Sequence, residues 1–310
     1  MKIKKNIKVI VLPTYKTNST YNLFLYSNDD TCILDIVKLD ELLSNLSFDF
    51  NITQIYIAGG EISLLSDFYF TMVYNLLKQY CKKIQVFTNF ININKGIINN
   101  CEILNVLVNL NKLDSTVIEN LKAYTSSTSH VVNLKSFDYD CKNDILSNIN
   151  KLNTLNVKSF EIIPSYKMKQ GNTYFEDIVK EYLKYSNKMK FAFQNELQLK
   201  GILNLDNYNT QIIYITPNNK YGTQEEKDNK FYLEEYDTIS DIQKKIIEKE
   251  KFSDNFCKNC TSKLTCMRNY VSNYNENNES CCGFKNLIND YSIERSKNEF
   301  NVCNNVSRRK

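Results

Sequence analysis

The chain has 310 residues, 42% of them hydrophobic and 12% aromatic, which is enough apolar mass to bury a core and excludes wholesale disorder. Its 39 basic and 35 acidic residues leave a formal charge of +4, spread along the chain, unlike the clustered footprint of a nucleic-acid-binding protein. No apolar run approaches the roughly 18–20 residues that span a membrane, and the stretch after Met1-Lys-Ile-Lys-Lys contains Lys8 and stops at Pro13, too short for an export core. The expected setting is the cytoplasm, where ten cysteines read as metal ligands or buried thiols and not as disulfides.

In chain order, the first half alternates short β-branched runs with amphipathic stretches. Ile7–Leu12, Ile52–Ala58, Ile84–Thr88, Ile103–Leu110, His130–Leu134 and Ser159–Pro164 read as strands, and their near-continuous apolar character suits a parallel sheet covered on both faces. Between them, Leu39–Leu46, Leu65–Cys81, Ser115–Ala123 and Asp144–Leu152 read as helices, and Phe175, Ile178, Val179 and Tyr182 mark another after the sixth strand. Six βα repeats predict a doubly wound sheet or a partial barrel, two units short of a closed one. Near residue 200 the rhythm breaks. Gln211–Thr216 reads as a strand, Pro217–Lys220 as a hairpin turn, the acidic-basic stretch beyond as a loop, and Ser240–Glu250 as a helix. The expected division is 1–200 and 201–310, packed together because no Pro/Gly-rich linker separates them.

Glycine is scarce, yet two of the seven are adjacent, in Gly59-Gly60-Glu61 between the second strand and Leu64-Leu65. Ligands bind at such strand ends because backbone approaches closely where no Cβ intrudes. The motif resembles the Gly-Gly-Glu-Pro turn of radical SAM enzymes, which contacts the amino group of S-adenosylmethionine, with Ile62 in place of the proline. The resemblance implies a partial (β/α)6 TIM-like barrel. It also implies three cysteines, Cys-x3-Cys-x2-Cys, in the loop after strand one. In Pro13 to Phe24 the framework of Thr14, Lys16 and Asn18 fits, but the cysteine positions hold Thr17, Tyr21 and Phe24, and the first cysteine of the chain is Cys32. A thiolate-bound cluster cannot form in that loop, so reductive cleavage of S-adenosylmethionine has no electron source there.

Six cysteines crowd the last 54 positions. Cys257-x2-Cys260-x5-Cys266, with Cys281 and Cys282 fifteen and sixteen residues further on, supplies four soft thiolates suited to an Fe–S cluster or tetrahedral Zn²⁺. The stretch is similar to the SPASM extension of radical SAM peptide maturases, whose seven cysteines hold two auxiliary clusters. Residues 215–221 match its strand-turn segment with Asn219 at the turn glycine, but Gln224 and Tyr270 stand where the resemblance expects cysteines of the first auxiliary cluster. Cys257, Cys260 and Cys266, closed by Cys281 or Cys282, match the second. The resemblance therefore implies one retained site, [4Fe–4S] in preference to Zn²⁺, with S-adenosylmethionine not expected as a cofactor.

The remaining candidates read as structure. His130 has no thiol or carboxylate neighbour in sequence to make a triad, Cys32, Cys81, Cys101 and Cys141 read as buried apolar thiols, and Cys303 and Arg308-Arg309-Lys310 as a free thiol and a solvated tail. What the resemblance implies is a catalytically inactive, degenerate radical SAM/SPASM protein, acting as partner subunit of an active radical SAM maturase or as a binder of its precursor peptide. Two other readings stay open. One is an enzyme using S-adenosylmethionine at Gly59–Glu61, or the remaining cluster, for non-radical or electron-relay chemistry. The other is a zinc-stabilised binding module.

Overall fold

A computed structural model describes residues 4–18, 32–92, 94–127, 131–163, 173–200, 211–227 and 230–257, together with Leu287, Asp290 and Tyr291. Strands β1 (Lys5–Val11), β2 (Phe50–Ile57), β3 (Ile84–Thr88), β4 (Ile103–Leu107), β5 (Val131–Phe137) and β6 (Ser159–Ile163) alternate with helices. These are α1 (Ile36–Asp49), α2 (Asp67–Tyr80), α3 (Lys95–Asn100), α4 (Ser115–Ser127), α5 (Asp138–Cys141), α6 (Ile145–Asn153) and α7 (Thr173–Leu183). Then follow β7 (Ala192–Phe193), α8 (Gln194–Leu199), β8 (Gln211–Ile215), β9 (Tyr221–Lys227), β10 (Lys230–Tyr236) and α9 (Ile239–Cys257).

The helices begin where side chains can satisfy their first amides. Asp35 accepts from Val37 N and Lys38 N to start α1, whose Leu39, Leu42, Leu43 and Leu46 form one apolar stripe. Ser66 accepts from Tyr69 N to start α2, which buries Phe70, Val73, Tyr74 and Leu77. Each stripe lies against the same face of the sheet.

The strand order is β10-β9-β8-β1-β2-β3-β4-β5-β6-β7. From β1 to β7 each strand lies parallel beside its predecessor, so every crossover steps the same way and the helices gather on one face. That order makes a singly wound, barrel-type sheet and removes the doubly wound alternative. It is not closed, since β10 and β7 are its two ends. The six expected βα units are β1–β6, flanked by two parallel strands that the sequence pattern did not mark as parts of that sheet. β7 is only two residues long, and β8 pairs with β1 from Ile7↔Gln211 to Val11↔Ile215. The sheet therefore runs without a break across residue 200. The stretch expected as an acidic-basic loop is largely the β9–β10 ribbon, paired from Tyr221↔Tyr236 to Lys227↔Lys230. Asn219 makes the β8–β9 turn in the left-handed region at φ 59°, where the sequence placed a glycine substitute. α3 was not expected. β4 stops at Leu107, three residues early, because Asn109 caps a 3-10 turn beginning at Leu110. β5 continues to Phe137, three residues beyond its expected end, and His130 lies outside the described residues.

One face carries the main core: Ile7, Val9 and Val11 of β1, Ile55 and Ile57 of β2, Val86, Leu104, Val106, Leu134, Phe160 and Ile162 all pack under the helices. The other face lines the lumen. Ile10, Leu12, Ala58 and Tyr214 cluster at one side of it, and Leu107, Phe137 and Ile163 at the other. Between them runs a polar ladder over four adjacent strands. Ser159 Oγ donates to Asn133 Oδ1 (2.6 Å), Asn133 Nδ2 to Asn105 Oδ1 (3.4 Å), and Asn105 Nδ2 to Gln85 Oε1 (2.9 Å).

The β7 edge is finished by a side chain. β6 pairs with β7 only at Ser159 and Phe160, and beyond them Asn195 of α8 takes over: its Oδ1 accepts from Ile162 N (2.8 Å) and its Nδ2 donates to Ile162 O (2.9 Å). Asn195 is 1% exposed, so Asn195→Leu strands a buried N–H and a buried C=O together. The expected loss is about 3 kcal/mol, read as a lower denaturation midpoint with an unchanged m-value.

Candidate functional site

The candidate turn lies where β2 ends, at the same end of the sheet as the loop leaving β1. Ala58 N donates to Val11 O (2.9 Å), Gly60 N to Thr14 O (2.9 Å) and Glu61 N to Lys16 O (2.6 Å), so the turn and the start of the first loop are stitched together amide by amide. The stitching explains both glycines. Gly59 sits at φ +119°, and a Cβ on it would meet Thr14 O at 2.7 Å; a Cβ on Gly60 would meet Lys16 O at 2.0 Å.

Glu61 is 1% exposed and its carboxylate is spent inside the protein. Oε1 accepts from Ser63 N (2.9 Å) and Thr88 Oγ1 (2.6 Å), and Oε2 accepts from Asn89 N (2.8 Å). The Ser63 contact caps the 3-10 turn Ile62–Leu64, and Ile62, which stands where the resemblance expects a proline, is fully buried in the main core. The other two contacts hold the exit of β3, where Phe90 adopts φ 57°, a costly conformation for a buried aromatic residue. Asn120 Nδ2 steadies that exit by donating to Phe90 O (3.0 Å) and Ile91 O (3.1 Å). Asn89 Nδ2 reaches back to Asn18 Oδ1 (2.6 Å), so one carboxylate ties β2, β3 and the first loop into a junction. Three of the roughly four acceptor positions of the Glu61 carboxylate are thus filled by the protein. No sequence signal marks Thr88, Asn89, Phe90 or Asn120 as parts of this junction.

The first loop does not fit an Fe–S cluster. Thr14 is buried and its Oγ1 accepts from Lys16 N (3.1 Å), while Lys16, Thr17 and Asn18 are exposed. Thr17 stands at the first cysteine position and supplies no thiolate; positions 21 and 24 lie outside the described residues. Cys32, at the far end of that loop, is half-buried, a correction to its reading as a buried thiol. Cys81, Cys101 and Cys141 are buried as expected, and desolvation pushes the Cys101 and Cys141 thiols well above the ordinary range, which suits inert core positions.

The position where the resemblance expects an auxiliary-cluster cysteine, Gln224, is also filled by protein chemistry. Gln224 is 7% exposed in β9 and its Oε1 accepts from Tyr214 Oη at 2.7 Å. Of the C-terminal candidates, Cys257 is the last residue of α9; its side chain, and Cys260, Cys266, Cys281 and Cys282, lie outside the described residues. Among the described residues no group of three or more His, Cys, Asp or Glu side chains is placed to hold a metal ion. No described helix is long and apolar enough to cross a membrane.

Among the described residues the lumen holds a charged pair. Lys135 of β5 and Glu161 of β6 form a hydrogen-bonded ion pair whose side chains are only 12% and 4% exposed. Gln198 Nε2 donates to Glu161 Oε1 (3.1 Å), and Lys135 Nζ stands 5.9 Å from the centre of the Phe87 ring. Phe87 packs on Tyr56 with ring centres 5.8 Å apart. Burial, reinforced by the Glu161 charge, raises the Tyr56 phenol above its ordinary pKa and keeps it protonated.

Comparison with solved structures settles the fold. Native anSMEcpe with bound AdoMet and Cp18Cys peptide superposes with a TM-score of 0.63 over 97% of this chain and 99% of its own, at 15% sequence identity. The chain has the fold of the radical SAM superfamily. SuiB of Streptococcus suis bound to S-adenosylmethionine matches with a TM-score of 0.52 at 10% identity, covering 70% of this chain. SuiB bound to precursor peptide SuiA matches with a TM-score of 0.53 at 11% identity, covering 71%. The matched regions span 60% and 59% of the two SuiB chains. No protein-family model and no curated protein matches the sequence. The radical SAM likeness is thus one of fold.

Proposed function

We propose that this chain is a degenerate radical SAM/SPASM-type protein that works as a partner subunit or peptide-binding accessory of an active radical SAM peptide maturase. The observation that carries the reading is the loop between β1 and α1, which contains no cysteine before Cys32 at a position where the fold's radical chemistry needs three thiolates. Supporting it, the Gly59–Glu61 turn is intact but has its carboxylate tied up in the junction with β3. The turn is maintained as architecture. A relative of the same fold is seen bound to a precursor peptide, which makes a peptide the natural occupant of a chain that has lost its radical source.

In this reading Cys257, Cys260 and Cys266, with Cys281 or Cys282, hold one [4Fe–4S] cluster that braces the C-terminal region. Anaerobically purified protein is then brown, with about four iron atoms per chain. Cys260→Ser combined with Cys266→Ser abolishes the colour and the iron, whereas Cys101→Ser leaves both. A colourless protein carrying one zinc ion replaces the cluster by the tetrahedral alternative.

The decisive experiment is co-expression with a radical SAM peptide maturase and its precursor peptide from the same source. The expected result is a complex that survives gel filtration, and loss of peptide modification when this chain is omitted. If neither protein associates and modification proceeds at full rate without it, the partner-subunit reading fails. Turnover of S-adenosylmethionine by the isolated chain supports the enzyme alternative instead.

A further inference from the structure

Lys8 is a charged side chain in the inner wall of the sheet that, unlike Lys135, has no acidic partner among the described residues. β1 alternates strictly, with Ile7, Val9 and Val11 in the main core and Ile10 and Leu12 in the lumen cluster, so Lys8 faces the lumen. A bulge sits at that point. Ile7 pairs with Ile52 but Lys8 pairs with Gln54, leaving Thr53 as the extra residue, and its Oγ1 donates to Ile7 O (3.0 Å). The bulge brings Gln54, Tyr56 and Ala58 into the same row as Lys8, Ile10 and Leu12.

Among the described residues the amine has no counter-ion. On the other side Lys8 pairs with Ile212, and the lumen-facing positions around it on β1, β2 and β8 are Ile10, Gln54, Tyr56, Ile212 and Tyr214, of which none is charged at neutral pH. Of the described carboxylates on this face, Glu161 is engaged by Lys135 and Gln198, and Glu235 accepts from Tyr15 Oη and Asn218 Nδ2. Among the described residues, no hydrogen bond or ion pair holds the half-buried Lys8 amine. The neighbouring wall is rich in amides, with Gln54 beside Lys8 and the Gln85–Asn105–Asn133–Ser159 ladder beyond. A half-buried cation among neutral hydrogen-bonding groups is costly unless an anion completes it.

We propose that Lys8 and Gln54 form an anion site in the lower lumen whose occupant is a carboxylate, either a small organic acid or the free C-terminus of a peptide. The site is separate from the Gly59–Glu61 turn and does not rest on the partner-subunit reading. Burial alone lowers the Lys8 amine to about 8, so an anion that enters beside it draws a proton with it and raises that value. The sign for stability follows. Without an anion the unfolded chain holds a proton that the folded chain has released between pH 8 and about 10.5, so this group's contribution rises over that window. A bound carboxylate flattens the rise.

The test is a pH titration of the lysine Cε resonances in ¹³C-lysine-labelled protein, with Lys8→Met identifying the signal. It is run in sodium chloride and in sodium acetate at equal ionic strength. The expected midpoint is near 8 in chloride and at least half a unit higher in acetate, saturating with acetate concentration. A tetrapeptide with a free C-terminus, compared with its C-terminal amide, separates the two sources: the acid form acts at lower concentration than acetate if a peptide end is the occupant. Lys8→Met is expected to retain its Tm in chloride and to lose any acetate-dependent increase. A Lys8 midpoint that is the same in both salts, or one near 10.5 in chloride, overturns the proposal. So does an acetate-dependent rise in Tm that persists in Lys8→Met.

Discussion

Gly60→Ala is expected to leave almost no soluble, folded protein. The new methyl would lie 2.0 Å from Lys16 O and 2.6 Å from two further backbone carbons, the carbonyl carbons of Lys16 and Tyr15. A flexible side chain can move from such a contact at small cost; here all three obstacles are main chain. They are held by the two amide bonds that define the site, Gly60 N to Thr14 O and Glu61 N to Lys16 O. Moving the first loop away breaks both and disturbs Asn18, which pairs with Asn89 at the exit of β3. The overpacking of a well-filled site alone costs about 1–3 kcal/mol, and two broken buried hydrogen bonds bring the expected total to at least about 4 kcal/mol. Against a total stability of about 5–15 kcal/mol, that is enough to empty the native state of a marginal protein. Gly222→Ala is the control, because its methyl meets Thr216 Cγ2 and Tyr214 Cβ at 3.3 Å, contacts relieved by a shift of a few tenths of an ångström. Chemical denaturation and soluble yield of the two variants decide the matter. A Gly60→Ala protein within 1 kcal/mol of its parent would show that the first loop is not locked onto the turn.

How much of this was legible beforehand follows from what each feature depends on. β3 was readable to the residue because Ile84–Thr88 is a compact apolar run closed by polar residues. The stripe of α1 was readable because leucines recur with helical spacing between Asp35 and Asp49. β10 was not, because Lys230-Phe-Tyr-Leu-Glu-Glu-Tyr is an edge strand, and the charges that protect an edge also mimic a loop. β7 was invisible for a different reason: two residues carry no periodicity, and its continuation is the amide of Asn195, which belongs to a helix.

The site divides in the same way. The scarcity of glycine pointed at Gly59 and Gly60, but the reason both are needed is a segment 44 residues earlier, and only the fold brings Lys16 O against Gly60. Glu61 was marked by its motif, yet its role comes from Thr88 and Asn89, whose polar side chains after an apolar run look like any strand exit. Lys8 in sequence merely interrupts an apolar stretch. Its want of a partner is a property of β2 and β8, which no local pattern contains.

The second large effect is expected at the buried pair in the lumen, and its direction reverses between single and double substitutions. Glu161→Leu leaves the Lys135 amine behind in a wall where it is 12% exposed, with its partner carboxylate gone. Breaking a buried pair in this way costs about 3–5 kcal/mol, most of it the desolvation of the charge that remains. Gln198 makes matters worse, since its Nε2 loses the acceptor at 3.1 Å. Lys135→Met added to Glu161→Leu removes the orphaned charge and places two apolar side chains on the lumen wall beside Phe87. The double variant should regain all or most of the loss, and similar replacements elsewhere have ended more stable than the parent by about 1–4 kcal/mol. Urea denaturation of the two single variants and the double one closes a cycle from which the coupling is read directly. A double variant as unstable as Glu161→Leu would mean that the damage comes from packing around β6 and not from an unpaired lysine. If the double variant is stable, the ion pair is not there to hold the sheet together, and the proposed peptide-binding role offers another reason for its presence. Under the proposed accessory role, precursor-peptide binding by the stable double variant separates the two: unchanged affinity removes the pair from that role, and a loss of tenfold or more supports it.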